Sequence, residues 1–280
     1  MVLDSELQVG IRDLAPGLWI WRARHPFWSQ GDDWQQVVTS TFVESGNDRL
    51  VLDPPAPTLD SIGLWERLDK LPPTAAVVVI ADHVRDVDLF VKRYGAHPFG
   101  PLLFYPDDIP RTKLEPITAN SVLPGGLVAL YDGRGRLETP IWDPNHRVIV
   151  YGDALTERNG ELRVWDCRAG HEKRELPALR TMLDLPFERV IISHCDTEPV
   201  HTRAEFERAL GRLPWRGEDR NGRFVRELAI WRGSLNNRRV NRLPEIEQEA
   251  FSQSLLPPPL GMPPLHELRG PPASGLVLSP

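Results

Sequence analysis

Three apolar segments of the sequence end on side chains that could bind a metal ion. Asp82 and His83 follow the segment VVVIA, Asp153 follows VIVYG, and His194 follows VIIS. Functional groups at the ends of neighbouring strands commonly form a shared site in α/β proteins. Two carboxylates and two imidazoles suit zinc, manganese or iron, and they would fill a tetrahedral shell or leave one position for water. We therefore predict Asp82, His83, Asp153 and His194 as metal ligands.

The chain after this first cluster has the pattern of a helix. Its apolar side chains at helical spacing are Val87, Phe90, Val91 and Tyr94. Gly95 predicts the end of the helix. If the helix has begun by Asp82, the side chains of Asp82 and His83 can turn toward one ion, and Asp86 lies over the same face. We predict Asp82 and Asp86 as the catalytic carboxylates, with Asp86 orienting the imidazole of His83.

Each of these residues also has a purely structural interpretation. Asp82 could cap the helix, with Asp86 facing the positive end of the helix dipole. Asp153 could be a turn residue, and His194 could be a hydrogen-bonded histidine at the end of a strand. The residues taken singly leave both interpretations open.

Strand and helix patterns place these candidates in an α/β protein. Short β-rich runs at 17–23, 36–45 and 49–53 predict an antiparallel start. The buried strand at 74–81 lies between two helical patterns, which gives a βαβα order. Later strands are predicted at 126–132, 146–153, 161–166 and 189–194, and later helices near 175–184 and from Thr202, which forms a capping-box pattern with Glu205.

Composition limits the partners and the cellular setting. The 280 residues, 41% of them hydrophobic, are enough for one large core, and a net charge of −6 gives no reason to expect nucleic acid. The only cysteines, Cys167 and Cys195, form no CxxC pair, so we expect a reducing, cytoplasmic setting. No signal-like start and no run of eighteen apolar residues is present, so we expect no membrane segment.

The C-terminal part of the sequence differs in composition from the rest. Nine arginines fall between residues 212 and 242, and eight prolines fall between 257 and 280. Such a proline density disfavours both helix and central strand. We predict one domain over 1–243 and a mostly disordered tail over 244–280. The arginines are expected to be solvated surface, with contact to a polyanion as the less favoured alternative.

Four segments in this order resemble the metallo-β-lactamase fold superfamily. They are RLVLDPP (49–55), DHVRD (82–86) with the helix that follows, VIVYGDAL (148–155) and VIISHCDTEP (190–199). The resemblance covers residues 12–212, about three quarters of the chain. It implies a four-layer αββα sandwich of two mixed sheets flanked by helices. The N-terminal stretch from LWIWRARHPFW to LDPP is similar to a bacterial branch of the superfamily regarded as hydrolases.

The resemblance implies a site that is only half complete. In the family motif HxHxDH, the Asp-His pair matches Asp82 and His83, whereas the two leading histidines fall on Val78 and Ile80. The bridging carboxylate matches Asp153 and the last histidine matches His194. The family's middle histidine would fall near residue 134, where this sequence has arginine. All three ligands of the first metal are therefore missing, and those of the second are present.

Two functions are compatible with this half site. The first is a hydrolase that holds one divalent ion, which activates water against an ester, a thioester or a phosphoester of a small molecule. The second is a catalytically inactive relative that binds no ion and uses the same fold for binding or regulation, because a fold alone does not fix an activity.

Overall fold

The computed structural model describes residues 10–216, except residues 26, 31, 33, 57–60, 102–103, 105–107, 131–137 and 167–170. The predicted tail at 244–280, the arginine-rich stretch beyond Arg216, and Cys167 lie outside the described residues. The domain boundary at residue 243 therefore stays a prediction.

The described chain forms thirteen strands and four α-helices. The strands are β1 (Gly10–Ala15), β2 (Leu18–Arg24), β3 (Val37–Ser45), β4 (Asp48–Leu52), β5 (Ala75–Val77), β6 (His97–Gly100), β7 (Glu115–Pro116), β8 (Val128–Ala129), β9 (Ile141–Asp143), β10 (Val148–Arg158), β11 (Glu161–Val164), β12 (Arg189–Cys195) and β13 (Val200–Thr202). The helices are α1 (Ile62–Lys70), α2 (Val87–Tyr94), α3 (Leu176–Thr181) and α4 (Arg203–Leu210). None of these helices has the length and apolar character that crossing a membrane requires.

The strands form one curled mixed sheet made of two halves. Its central path runs β7-β6-β5-β4-β3-β12-β10-β9-β8. Strands β1 to β4 pair antiparallel, as the sequence predicts, and β4 to β7 continue in parallel. The two halves join where β3 pairs with β12 through Val38 and His194. One of the predicted metal ligands therefore lies at the junction.

The central hydrophobic cluster fills the space between the two halves of the sheet. It includes Leu18 and Leu50 from the first half, and Val150 and Ile191 from the second half. These side chains are at most 5% exposed. Burial of such a side chain contributes on the order of 1.5–3 kcal/mol, so this layer is a major source of stability.

Two outer clusters pack the helices onto the sheet. Leu68 of α1 and Phe90 of α2 pack with Trp21 on one side. Leu179 of α3 and Phe206 of α4 belong to the cluster on the other side. Together with the central cluster, these layers give the order helix, sheet, sheet, helix. The predicted four-layer architecture is confirmed.

Two helix termini follow the sequence signals closely. Gly95 ends α2 in the left-handed conformation, with φ of 66°, which a residue without Cβ adopts at little cost. Thr202 caps α4 by accepting from the Glu205 backbone N–H, while the Glu205 side chain accepts from the Thr202 backbone N–H. The predicted capping box is confirmed.

The chain between β5 and α2 differs from its predicted structure. The strand predicted over 74–81 ends at Val77, because the Val79 N–H donates to the Asp53 side chain at 2.6 Å and not to a neighbouring strand. Helix α2 begins at Val87, because Arg85 has φ of 44°, which no helix accommodates. The structural interpretation of Asp82 as the helix cap is therefore wrong.

Candidate metal centre

Three of the four predicted ligands meet at the junction of the two half-sheets. Asp153 Oδ1 lies 3.1 Å from His83 Nε2 and 3.2 Å from His194 Nε2, and the two Nε2 atoms are 3.2 Å apart. All three residues are buried. In the described part of the chain, they are the one group of three or more such side chains with ligand atoms close enough to share an ion.

The spacing of these three atoms fits one divalent ion. Ligand atoms at zinc bond lengths of about 2.0–2.1 Å lie about 3.3 Å apart around a tetrahedron, and about 3 Å apart around an octahedron. The observed separations of 3.1–3.2 Å fall between these values. Two imidazoles and one carboxylate are a suitable donor set for zinc, iron or manganese.

The fourth predicted ligand, Asp82, is not a member of this group. The ligand atoms that lie within 4.8 Å of one another come from His83, Asp153 and His194. Asp82 is half-buried in the turn that immediately precedes His83. Asp82 is therefore adjacent to His83 in sequence, but its carboxylate is not one of the clustered ligand atoms.

Asp153 is positioned by an irregularity in β10. The pairing of β10 with β12 is regular up to Tyr151, and the next pair joins Thr156 to His194. In the bulge between these pairs, the N–H groups of Gly152 and Asp153 both donate to the Glu138 carboxylate at 3.0 Å. The buried Glu138 side chain therefore supports the backbone of the ligand where no neighbouring strand does.

The close approach of Gly152 to its neighbour also fixes this bulge. A Cβ atom at position 152 would lie 2.8 Å from Ile80 Cγ2. Ile80 is fully buried, so it cannot swing into solvent to make room. Glycine is therefore required here for close packing.

The backbone around His194 is held by side chains of β10. Thr156 Oγ1 donates to the His194 carbonyl oxygen at 3.1 Å. The buried Glu157 carboxylate accepts from the N–H groups of Thr197 at 2.7 Å and of Glu198 at 3.2 Å. Strand β10 thus carries one ligand and also fixes the segment that carries another.

The imidazole of His83 is oriented by Asp53. Asp53 Oδ2 lies 2.9 Å from His83 Nδ1, which leaves Nε2 facing Asp153. A carboxylate in this position fixes the orientation of a metal-binding histidine. The sequence analysis assigned this role to Asp86, but the structure places Asp86 Oδ2 2.6 Å from the Ala56 N–H, which donates to it. Burial raises the pKa of Asp86.

Two residues beside His83 have backbone conformations that are unusual for residues other than glycine. Asp53 has φ of 47° and Arg85 has φ of 44°. Arg85 Nη1 donates to the carbonyl oxygens of Thr39 at 3.2 Å and Asp53 at 2.7 Å. Such strain persists where surrounding contacts hold it, and it is frequent at functional sites.

The surroundings of His83 and His194 shift the pKa values of the two imidazoles in opposite directions. Burial and the Arg85 guanidinium lower the pKa of His83, but the carboxylates of Asp153 and Asp53 outweigh them and raise it to about 10. Burial lowers the pKa of His194 to about 4. Burial alone would raise the pKa of Asp153, but the two imidazoles hold it well below its ordinary value. A divalent ion at this group would compete with the proton of His83.

The two described positions that the resemblance matches to first-metal histidines are apolar. Val78 and Ile80 are both fully buried, and Val78 belongs to the outer cluster that packs α1 and α2. Arg134, the residue near the third place, lies outside the described residues. The two described positions are thus part of the packed core.

Sequence reasoning missed several residues that support the site. Asp53 carried a usable signal, because it ends a strand as the candidate ligands do. Glu138 carried none, because it lies in an irregular segment with no periodic pattern. Trp34 and Trp165 pack on His194, which depends on tertiary contacts that spacing does not reveal.

Comparison with known proteins identifies solved structures that have a similar architecture. No protein-family model and no curated protein matches the sequence. Among solved structures, DIM-1 metallo-β-lactamase exposed to ceftazidime has a TM-score of 0.56 at 13% identity, over 74% of this chain and 97% of that one. The metallo-β-lactamase FIM-1 from Pseudomonas aeruginosa, in its mono-zinc form, has a TM-score of 0.54 at 16% identity, over 74% and 95%. A metallo-β-lactamase from Pontibacter korlensis has 0.53 at 14%, over 74% and 100%. The chain has the fold of the metallo-β-lactamase superfamily.

Proposed function

We propose that this protein is a mononuclear metal-dependent hydrolase. The observation that carries the proposal is the convergence of His83, Asp153 and His194, whose three ligand atoms lie within 3.2 Å of one another. Three protein ligands with remaining open positions are typical of catalytic metal sites. The fold supports the same conclusion, because a solved relative of this architecture is a metallo-β-lactamase in a mono-zinc form.

The protein side chains have separate roles in this proposal. A bound ion supplies Lewis acidity and lowers the pKa of a coordinated water. Asp53 keeps Nε2 of His83 directed at the site, and Glu138 fixes the backbone of Asp153. We assign Asp82, the half-buried carboxylate next to His83, as the group that accepts a proton from the attacking water. Asp86 supports the loop at Ala56.

The proposed substrates are small molecules with an ester, thioester or phosphoester bond. A nucleic-acid partner is not part of the proposal, because the first two arginines of the basic stretch already pair with acids. Arg212 lies 3.3 Å from Glu161, and Arg216 lies 2.8 Å from Asp166. We also propose a cytoplasmic setting, which the free, buried thiol of Cys195 supports.

Metal analysis tests the proposal directly. Protein purified without chelators should contain about one equivalent of divalent metal, because one three-ligand group is present. Asp153→Asn and His194→Ala should lower the metal content below about a tenth of an equivalent and abolish hydrolysis in a panel of esters, thioesters and phosphoesters. His97→Ala, which changes an exposed histidine away from the group, is the matched control and should keep both. Wild-type protein without metal would contradict the proposal.

A catalytically inactive binding protein is the second candidate. It is favoured by the hydrogen bonds among the same residues, in which His83 contacts both Asp53 and Asp153. The apolar residues Val78 and Ile80 also favour it. Absence of both bound metal and turnover across the panel would support this candidate over the hydrolase.

A further inference from the structure

The two histidines of the metal centre are held in different ways. His83 Nδ1 has the carboxylate of Asp53 at 2.9 Å. His194 Nδ1 is buried and has no hydrogen-bond partner among the described residues. Metal-binding histidines almost always use their second nitrogen to fix the ring through a carboxylate, a carbonyl or water. Among the described residues, the support of the His194 ring therefore comes from contacts other than a hydrogen bond at Nδ1.

Two tryptophans pack against the His194 ring. Trp34 and Trp165 each have a ring centroid 5.7 Å from that of His194, with interplanar angles of 82° and 86°. Edge-to-face contact at this distance is a favourable arrangement for aromatic rings. The two contacts restrict rotation of the imidazole, which is the motion that a hydrogen bond at Nδ1 would otherwise restrict.

Trp165 is itself held in place by the rest of the domain. Its backbone N–H donates at 3.0 Å to the carbonyl of Ala154, the residue after the ligand Asp153. Trp215 packs on its ring with centroids 5.0 Å apart, and the Arg158 guanidinium lies 3.8 Å above Trp215. The stack therefore links the segment after α4 to the metal centre.

Trp34 is held by the loop between β2 and β3. Trp28 Nε1 donates to the Trp34 carbonyl at 2.8 Å, and His25 packs edge-to-face on the Trp34 ring at 4.9 Å. Trp34 is half-buried, whereas Trp165 is 7% exposed. A change at Trp34 should therefore disturb the core less than a change at Trp165.

We propose that Trp34 and Trp165 are positioning residues of His194, which fix its ring by aromatic packing where His83 has a carboxylate. The proposal rests on the proposed metal centre. Each tryptophan holds the imidazole of His194 in position and does not itself contact the ion. The aromatic character of the two side chains is therefore what matters.

Titration with Co²⁺, followed by visible absorption, tests the proposal. Trp165→Leu and Trp34→Leu should each weaken Co²⁺ binding about 10- to 100-fold and alter the d–d spectrum, as loss of a histidine's orienting partner does. Trp165→Phe and Trp34→Phe keep an aromatic ring and should stay within about threefold of wild type. Trp65→Leu, on α1 against Phe90, is the control and should leave binding unchanged. Folded leucine variants with wild-type affinity and spectrum would overturn the proposal.

A second readout separates this proposal from the metal proposal. Imidazole ¹³C relaxation in chelator-treated protein should show a rigid His194 ring in the wild type and greater ring motion in the leucine variants. An unchanged His194 signal in folded Trp34→Leu would refute the positioning role, even if Trp165→Leu fails to fold. If the wild type binds no Co²⁺ but the NMR difference between wild type and leucine variants is observed, the metal centre alone is refuted.

Discussion

The chain that leaves β5 contributes to two neighbouring regions of opposite character. Val78 and Ile80 are fully buried apolar residues, and the resemblance matches them to the first two histidines of the family motif. A few residues later, His83 joins a buried polar group with Asp153 and His194. The same stretch of chain thus supplies packed apolar core and, a few residues later, one member of a buried His-Asp-His group.

The two regions are stabilised by different interactions. Ile80 is held by close packing against Gly152, whereas His83 and Asp153 are held by the carboxylates of Asp53 and Glu138. Packing and hydrogen bonding respond differently to substitution, since packing depends on volume and hydrogen bonding depends on partners. The comparison teaches that the apolar region and the polar group depend on separate contacts, so a change in one need not remove the support of the other.

The largest expected effect on stability comes from Ile80→Ala. Removing this fully buried side chain should lower the free energy of unfolding by about 2–5 kcal/mol, because a cavity replaces packed atoms. The metal content should stay at the wild-type value, because no ligand changes. Denaturant unfolding and metal analysis of the same preparation measure both. Loss of metal at unchanged stability would mean that Ile80 belongs to the metal region.

A smaller effect is expected from Gly152→Ala. The new methyl group would meet Ile80 Cγ2 at 2.8 Å, and overpacking of this kind costs about 1–3 kcal/mol. Because Ile80→Ala removes that atom, the double variant should be more stable than the sum of the two losses predicts, by about 1 kcal/mol or more. Gly160→Ala would be a poor control because its φ is 80°, so Gly10→Ala, which meets nothing within 4 Å, is preferable. Strict additivity would show that the two positions are independent.

A pH dependence is expected for the stability that the polar region contributes. The pKa of His83 is raised from 6.5 to about 10 in the fold, so its protonated form stabilises the folded state below pH 6.5. That contribution should decline progressively as the pH rises from about 6.5 to about 10. Thermal unfolding of chelator-treated protein across this range measures it. His83→Gln should flatten the decline, and an equal decline in that variant would assign it to other groups.

Much of the fold follows from local sequence signals. The antiparallel start, the capping box at Thr202 and the glycine stop at Gly95 are all confirmed, because each depends on residues close in sequence. The start of α2 was not predictable in this way. The positive φ of Arg85 is stabilised by the carbonyl groups of Thr39 in β3 and of Asp53 just after β4, which are distant in the chain.

The site was predictable to a smaller extent. His83, Asp153 and His194 were found because each follows an apolar strand segment of one sheet, although Asp153 lies in a bulge within β10 and not at the predicted strand end. Asp86 was assigned a role that Asp53 takes, because the predicted helix placed Asp86 over His83, and the actual chain there is a turn. Glu138 gave no sequence signal, since its partners are backbone N–H groups in a bulge.

The bulge in β10 lets the position of the Asp153 side chain vary independently of the pairing between β10 and β12. Between two consecutive pairs with β12, the chain takes five steps along β10 and two along β12. The ladder resumes beyond the bulge, so a change in bulge length would leave both paired stretches intact. An insertion or deletion there would therefore move the Asp153 carboxylate before it altered the paired strands on either side.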